Sequence, residues 1–141
     1  MGVIVFGYHN ICVIGINILM KHNIHISAVF THRENANENI WFKSVSDYCS
    51  LQGLRYFFSE DYNNEGIFKI VERINPKSIF SFYYRKIIPQ SILDIPRYGA
   101  VNLHGSLLPK YRGRCPVNWQ LLNGETKGGV TLHYMVKRPD A

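Results

Sequence analysis

Short runs rich in Val, Ile, Phe and Tyr alternate with stretches of helical apolar spacing, and that alternation leaves few folds open to the chain. The strand-like runs are Val3–Gly7, Ile24–Thr31, Arg55–Phe58, Ser78–Tyr83, Ala100–His104 and Gly129–Met135. Between them lie Ile11–Lys21, Trp41–Gln52, Asn64–Asn75 and Pro116–Leu122, which read as helices. Pro76, Pro89, Pro96 and the Asn123-Gly124 dipeptide supply the breaks. Such an order predicts a doubly wound, parallel, Rossmann-like α/β sheet, because parallel neighbours must be joined by crossovers and crossovers are right-handed. Ligands of such sheets bind beyond the carboxyl ends of the strands. The loop after His104 and the segment ending at Asp140 would lie there.

A length of 141 residues with 46% hydrophobic side chains suits one domain. Cys12, Cys49 and Cys115 show neither CxxC spacing nor a paired pattern, and no apolar stretch has the length or flanks of a signal peptide or a membrane span. Reduced thiols and a cytoplasmic location are therefore expected. The formal net charge of +6 suits an anionic partner, either a nucleic acid or a small phosphorylated ligand. The first turn, Gly7-Tyr8-His9-Asn10 followed by Gly15, lacks the Gly-x-Gly-x-x-Gly fingerprint, which argues against a nicotinamide or flavin cofactor. Arg33 to Asn39 is the most polar run and reads as a surface loop near the site.

Chemistry concentrates in Asn102 to Pro116. On a strand, residues i and i+2 share a face, so Asn102 and His104 should project together while Leu103 turns into the core. An amide donor beside an imidazole is what acyl transfer needs, the first for a developing oxyanion and the second for proton transfer near neutrality. A third residue, Asp140, ends another apolar run. Taken alone, an Asn-x-His pair serves equally well as a satisfied polar pair, and Asp140 serves equally well as a helix N-cap after Pro139.

Several segments together resemble the N-terminal catalytic domain of the folate-dependent formyltransferases. They are His104-Gly105-Ser106-Leu107-Leu108-Pro109 with Tyr111-Arg112-Gly113, Asn118-Trp119, the Asn123-Gly124-Glu125 turn, Gly129-Val130-Thr131-Leu132-His133 and Asp140. Within that family, Phe6-Gly7-Tyr8-His9, Phe30-Thr31-His32, Phe80 to Arg85, and Gly105 where other branches usually carry Pro, are similar to the branch that formylates UDP-4-amino-4-deoxy-L-arabinose for lipid A modification and polymyxin resistance. The similarity runs from Met1 to Ala141, and family members continue further, so the expectation is a catalytic domain incomplete at its C-terminal end.

The resemblance implies N10-formyltetrahydrofolate as co-substrate and no metal. It implies that Asn102 stabilises the tetrahedral oxygen, that His104 moves the proton, and that Asp140 orients the imidazole and favours its charged form. Lys86, Ile87 and Ile88 would present backbone groups and an apolar wall to the pterin, Arg114 would contact the folate, and Val136, Lys137, Arg138, Pro139 and Asp140 would form the other side of the slot. Lys110, Tyr111, Arg112 and Asn118 are candidates for the diphosphate and sugar. Cys115 reads as a small packed side chain and not as a nucleophile. Other implied partners are a UDP-amino sugar, a fused decarboxylase domain and a homo-oligomer, with neither nucleic acid nor membrane favoured. Two further readings stay open: formylation of methionyl-tRNA or glycinamide ribonucleotide, and a non-catalytic folate-binding remnant.

Overall fold

A computed structural model of the protein describes residues 2–34, 44–104 and 131–135. Strands β1 (Val3–Gly7), β2 (Ile26–Thr31), β3 (Tyr56–Phe58), β4 (Ser78–Phe82), β5 (Ala100–His104) and β6 (Thr131–Tyr134) form a sheet of order β3-β2-β1-β4-β5-β6. The first five are parallel, as the alternation predicts. β6 departs from that pattern and runs antiparallel to β5, with Met135 N–H donating to Ala100 O at 2.8 Å. An antiparallel neighbour needs no covering crossover, so an edge can reverse where the interior cannot.

Helices α1 (His9–Lys21), α2 (Val45–Gln52), α3 (Asn64–Ile74) and the one-turn α4 (Gln90–Leu93) flank the sheet, with a 3-10 turn at Ser59–Asp61. Local chemistry sets several of their ends. Ser44 Oγ accepts from Asp47 N–H at 3.3 Å and Asn63 Oδ1 accepts from Gly66 N–H at 2.8 Å, each supplying an oxygen to an orphan donor of the first turn. Gly53 (φ 71°) and Asn75 (φ 52°) close α2 and α3 in the left-handed conformation.

Several boundaries differ from the sequence reading. α1 begins at His9 and not Ile11. β2 begins at Ile26, because Ile24 still belongs to the α1 exit, its N–H donating to Leu19 O at 3.0 Å. β4 ends at Phe82 because Tyr83 takes φ 62°. Pro89, read only as a breaker, stands at the start of α4, where a missing N–H costs nothing. The expected helix at Pro116–Leu122 and positions 41–43 of the expected second helix lie outside the described residues.

Period-two alternation sorts the core into two clusters, one on each face. Val3, Val5 and Val29 meet Cys12, Val13, Ile16 and Leu19 of α1 and Val45 and Cys49 of α2. Ile4, Phe6, Ala28, Phe30 and Ile79 meet Ile67 and Val71 of α3 and Ile92 and Leu93 of α4. β1, in the middle of the parallel part, is buried at every position. Cys12 and Cys49 are free thiols in the first cluster; burial pushes both pKa values up, that of Cys49 to about 12, so neither serves as a nucleophile.

Candidate active site

The strand order reverses direction between β1 and β4, so the crevice beyond their carboxyl ends is the natural ligand site of this sheet. Two non-glycine residues with positive φ stand there: His9 at 72°, after β1, and Tyr83 at 62°, after β4. Their rings lie 5.4 Å apart. A left-handed conformation costs a residue with a side chain on the order of 1–2 kcal/mol, and two side by side at the switch point mark a strained, over-determined turn pair. Just below, Tyr8 N–H donates to Phe82 O at 3.1 Å and ties the two strand ends together.

Beside this pair lies a part-buried polar assembly. His32 follows β2 directly and is 6% exposed. Its Nδ1 contacts Glu60 Oε2 at 2.5 Å, and its Nε2 accepts from Arg85 N–H at 3.2 Å. Because Nε2 accepts, the ring proton sits on Nδ1 and donates to the carboxylate. Tyr84 stacks on the imidazole at 4.7 Å and donates from its hydroxyl to Ser59 Oγ at 2.8 Å, while Tyr8 meets the same ring edge-on at 5.6 Å. Arg85 lies over the Tyr8 ring at 4.5 Å. Burial pushes the His32 pKa below its ordinary value; the Glu60 carboxylate opposes this, and the Lys86 and Arg85 charges add to it. Burial would raise the Glu60 pKa, yet hydrogen bonds from His32 and from Arg33 N–H, with the nearby positive charges, bring it below the ordinary value. The Tyr84 hydroxyl is pushed up to about 12 by burial and remains protonated.

Asn102 occupies β5 in register with Ser81 of β4 and His133 of β6. Leu103 packs against the first cluster and Ala100 belongs to the second, so Asn102, two residues on from Ala100, takes the second-cluster face. Tyr84 and Ile88 pack on that same face. The segment following β4 and the Asn102 position therefore share one side of the sheet at its carboxyl end. Lys86 and Ile87 are exposed, Ile87 by 66%, whereas Ile88 is buried in the core. His104 closes β5 with its backbone opposite Thr131. Arg114 and Val136 to Asp140, with Lys110, Tyr111, Arg112, Cys115 and Asn118, lie outside the described residues. Among the described residues no group of three or more His, Cys, Asp or Glu side chains could hold a metal ion, and no helix is long and apolar enough to cross a membrane.

The His32–Glu60 pair was not legible as a site from the sequence. Each residue follows a strand-like run, and that placement is the only local signal; their 28-residue separation closes only when β2 and β3 pair.

Residues 3–141 match the family model described as formyl transferase. Solved structures with the same fold include phosphoribosylglycinamide formyltransferase from Bacillus halodurans, with a TM-score of 0.79 at 16% identity over 100% of this chain and 75% of that one. The N-formyltransferase from Helicobacter canadensis, in complex with folinic acid and dTDP-3-aminofucose, gives a TM-score of 0.72 at 22% identity over 99% of this chain and 49% of its own. WlaRD, a sugar 3N-formyltransferase solved with dTDP and 5-N-formyl-THF, gives 0.70 at 21% over 99% and 48%.

Proposed function

The chain belongs to the formyl transferase family, and we propose that it passes the formyl group of N10-formyltetrahydrofolate to the 4-amino group of UDP-4-amino-4-deoxy-L-arabinose. The observation that carries this reading is the shared face of Asn102 and the Tyr84–Ile88 segment at the carboxyl end of the sheet. A planar pterin against the exposed Ile87 and the backbone of that segment would bring a formyl group over the end of β5. The folate supplies the activated one-carbon unit; the chain's residues bind, orient and move protons. The Asn102 amide donates to the formyl oxygen as negative charge develops on it. His104 accepts the proton released by the attacking amine and returns one to the departing nitrogen, and Asp140 holds the imidazole in orientation. Arg114 and residues 136–140 would complete the folate slot, and Lys110, Tyr111, Arg112 and Asn118 the sugar-nucleotide side.

The choice of acceptor rests on Gly105 and on Phe80 to Arg85, which match the aminoarabinose branch. The folate-bound sugar N-formyltransferases with the same fold support a nucleotide-sugar acceptor. The full-length protein, purified and supplied with N10-formyltetrahydrofolate and, in parallel, UDP-4-amino-4-deoxy-L-arabinose, methionyl-tRNA and glycinamide ribonucleotide, tests it. Formylation of the sugar nucleotide at the highest kcat/KM is expected. Preference for either other acceptor would overturn the substrate assignment, and consumption of no formyl-folate with any of them would overturn formyl transfer.

A further inference from the structure

We infer that His32 is a positioning residue: held by Glu60, it anchors through its neutral Nε2 the backbone of the Tyr83–Ile88 segment that receives the folate. This rests on the folate reading above. Three strand ends meet at this ring. His32 leaves β2, Glu60 lies in the turn after β3, and Arg85 follows β4, with Tyr8, just after the intervening β1, packed edge-on beneath. At a spacing of about 4.8 Å per strand, β2 and β4 stand roughly 10 Å apart, a gap the imidazole bridges across the end of β1. Arg85 N–H is the point where the chain turns from the strained Tyr83 towards the exposed Lys86 and Ile87 and the buried Ile88.

The anchor works in one protonation state. The groups facing the ring are Glu60 from the 3-10 turn, Arg85 and Lys86 from the segment after β4, and the rings of Tyr84 and Tyr8; Arg33, next in the chain, is engaged with Asp61. With Nε2 unprotonated, Arg85 N–H has an acceptor. Protonation turns that acceptor into a donor facing a donor, the contact becomes repulsive, and the segment loses its tie. Burial and the two cations favour the neutral ring, so the anchor holds at neutral pH and fails in acid.

Side-chain geometry separates anchoring from mere packing. In His32→Gln the amide oxygen reaches about where Nε2 stands and can accept from Arg85 N–H; in His32→Asn the amide reaches Glu60 but not Arg85. Folinic acid binding by calorimetry at pH 7.5 should weaken roughly tenfold in H32N, the order expected when a part-buried donor loses its acceptor, and no more than about threefold in H32Q. For formyl transfer, KM for the folate should rise in H32N while kcat at saturation holds. In the wild type, folinate affinity and Arg85 amide-exchange protection should both fall as pH drops through the folded His32 value, which burial holds below the ordinary one, with H32Q flat over the same range. If H32N fails to fold, Glu60→Gln reports instead: removing the charge that supports protonation should move the wild-type acid loss to lower pH. H32N that binds as tightly as wild type with Arg85 protection unchanged, or an acid loss identical in wild type and H32Q, would overturn the inference. Wild-type protein that binds no folinate would overturn the folate reading, and the Arg85 exchange profile would still decide the anchor.

Discussion

Gly7, the last residue of β1, has no room for a side chain. A Cβ there would stand 2.7 Å from the carbonyl oxygen of Phe82 and would also run into the Cys12 sulfur. That carbonyl already accepts from Tyr8 N–H, so neither strand end can yield without opening the floor of the crevice. Gly7→Ala should therefore destabilise the protein by about 1–3 kcal/mol, the usual cost of overpacking, outweighing the roughly 0.5–1 kcal/mol that alanine gains over glycine inside a strand. A lower urea midpoint with an unchanged slope is the expected result, and a midpoint equal to wild type would show that the two strand ends are not held together as described.

Between elements, the strand and helix ends are joined by groups whose charge depends on pH. The unfolded chain binds a proton at His32 near pH 6.5, whereas the folded chain binds it only at lower pH. The stabilisation from neutral His32 is thus complete above about 6.5 and is lost as pH falls from there through the folded value. Glu60, with its folded pKa below the ordinary 4.5, contributes above that value and loses its contribution as pH falls through the folded one. Thermal unfolding across pH 8 to 4 should show Tm declining from about 6.5 downward, and in His32→Gln the upper part of that decline should vanish while the part below about 4.5 persists. Parallel curves for the two proteins would contradict a His32 held neutral by the fold. Elements of this kind were only half readable in the sequence. The β1, β3 and β5 runs and the α3 stretch announce themselves through β-branched and aromatic runs or helical spacing, and the Asn102, Leu103 alternation through period two. The one-turn α4 and the strained Tyr83 do not, because a single turn lacks a periodic signal and a positive φ on tyrosine is imposed by tertiary packing. His32 and Glu60 were invisible as partners for the same reason: strand order, and not spacing, brings them together.

At the scale of the whole molecule, five parallel strands with helices on both faces create one crevice at the reversal of strand order, and the described candidate residues gather around it. The β4 exit supplies a wall with Ile87 exposed, β5 supplies Asn102 on the same face, and β6 closes the edge opposite His104. The proposed formyl transfer assigns the proton-transfer step to His104, the last residue of β5. The direct measurement is the rate of tetrahydrofolate release from N10-formyltetrahydrofolate with UDP-4-amino-4-deoxy-L-arabinose as acceptor, by wild type and His104→Ala at saturating substrate. A turnover in the wild type that falls at least ~100-fold in the variant, with folinic acid binding kept, is predicted for the loss of a proton-transfer group; a correctly folded His104→Ala protein that turns over at the wild-type rate would contradict it.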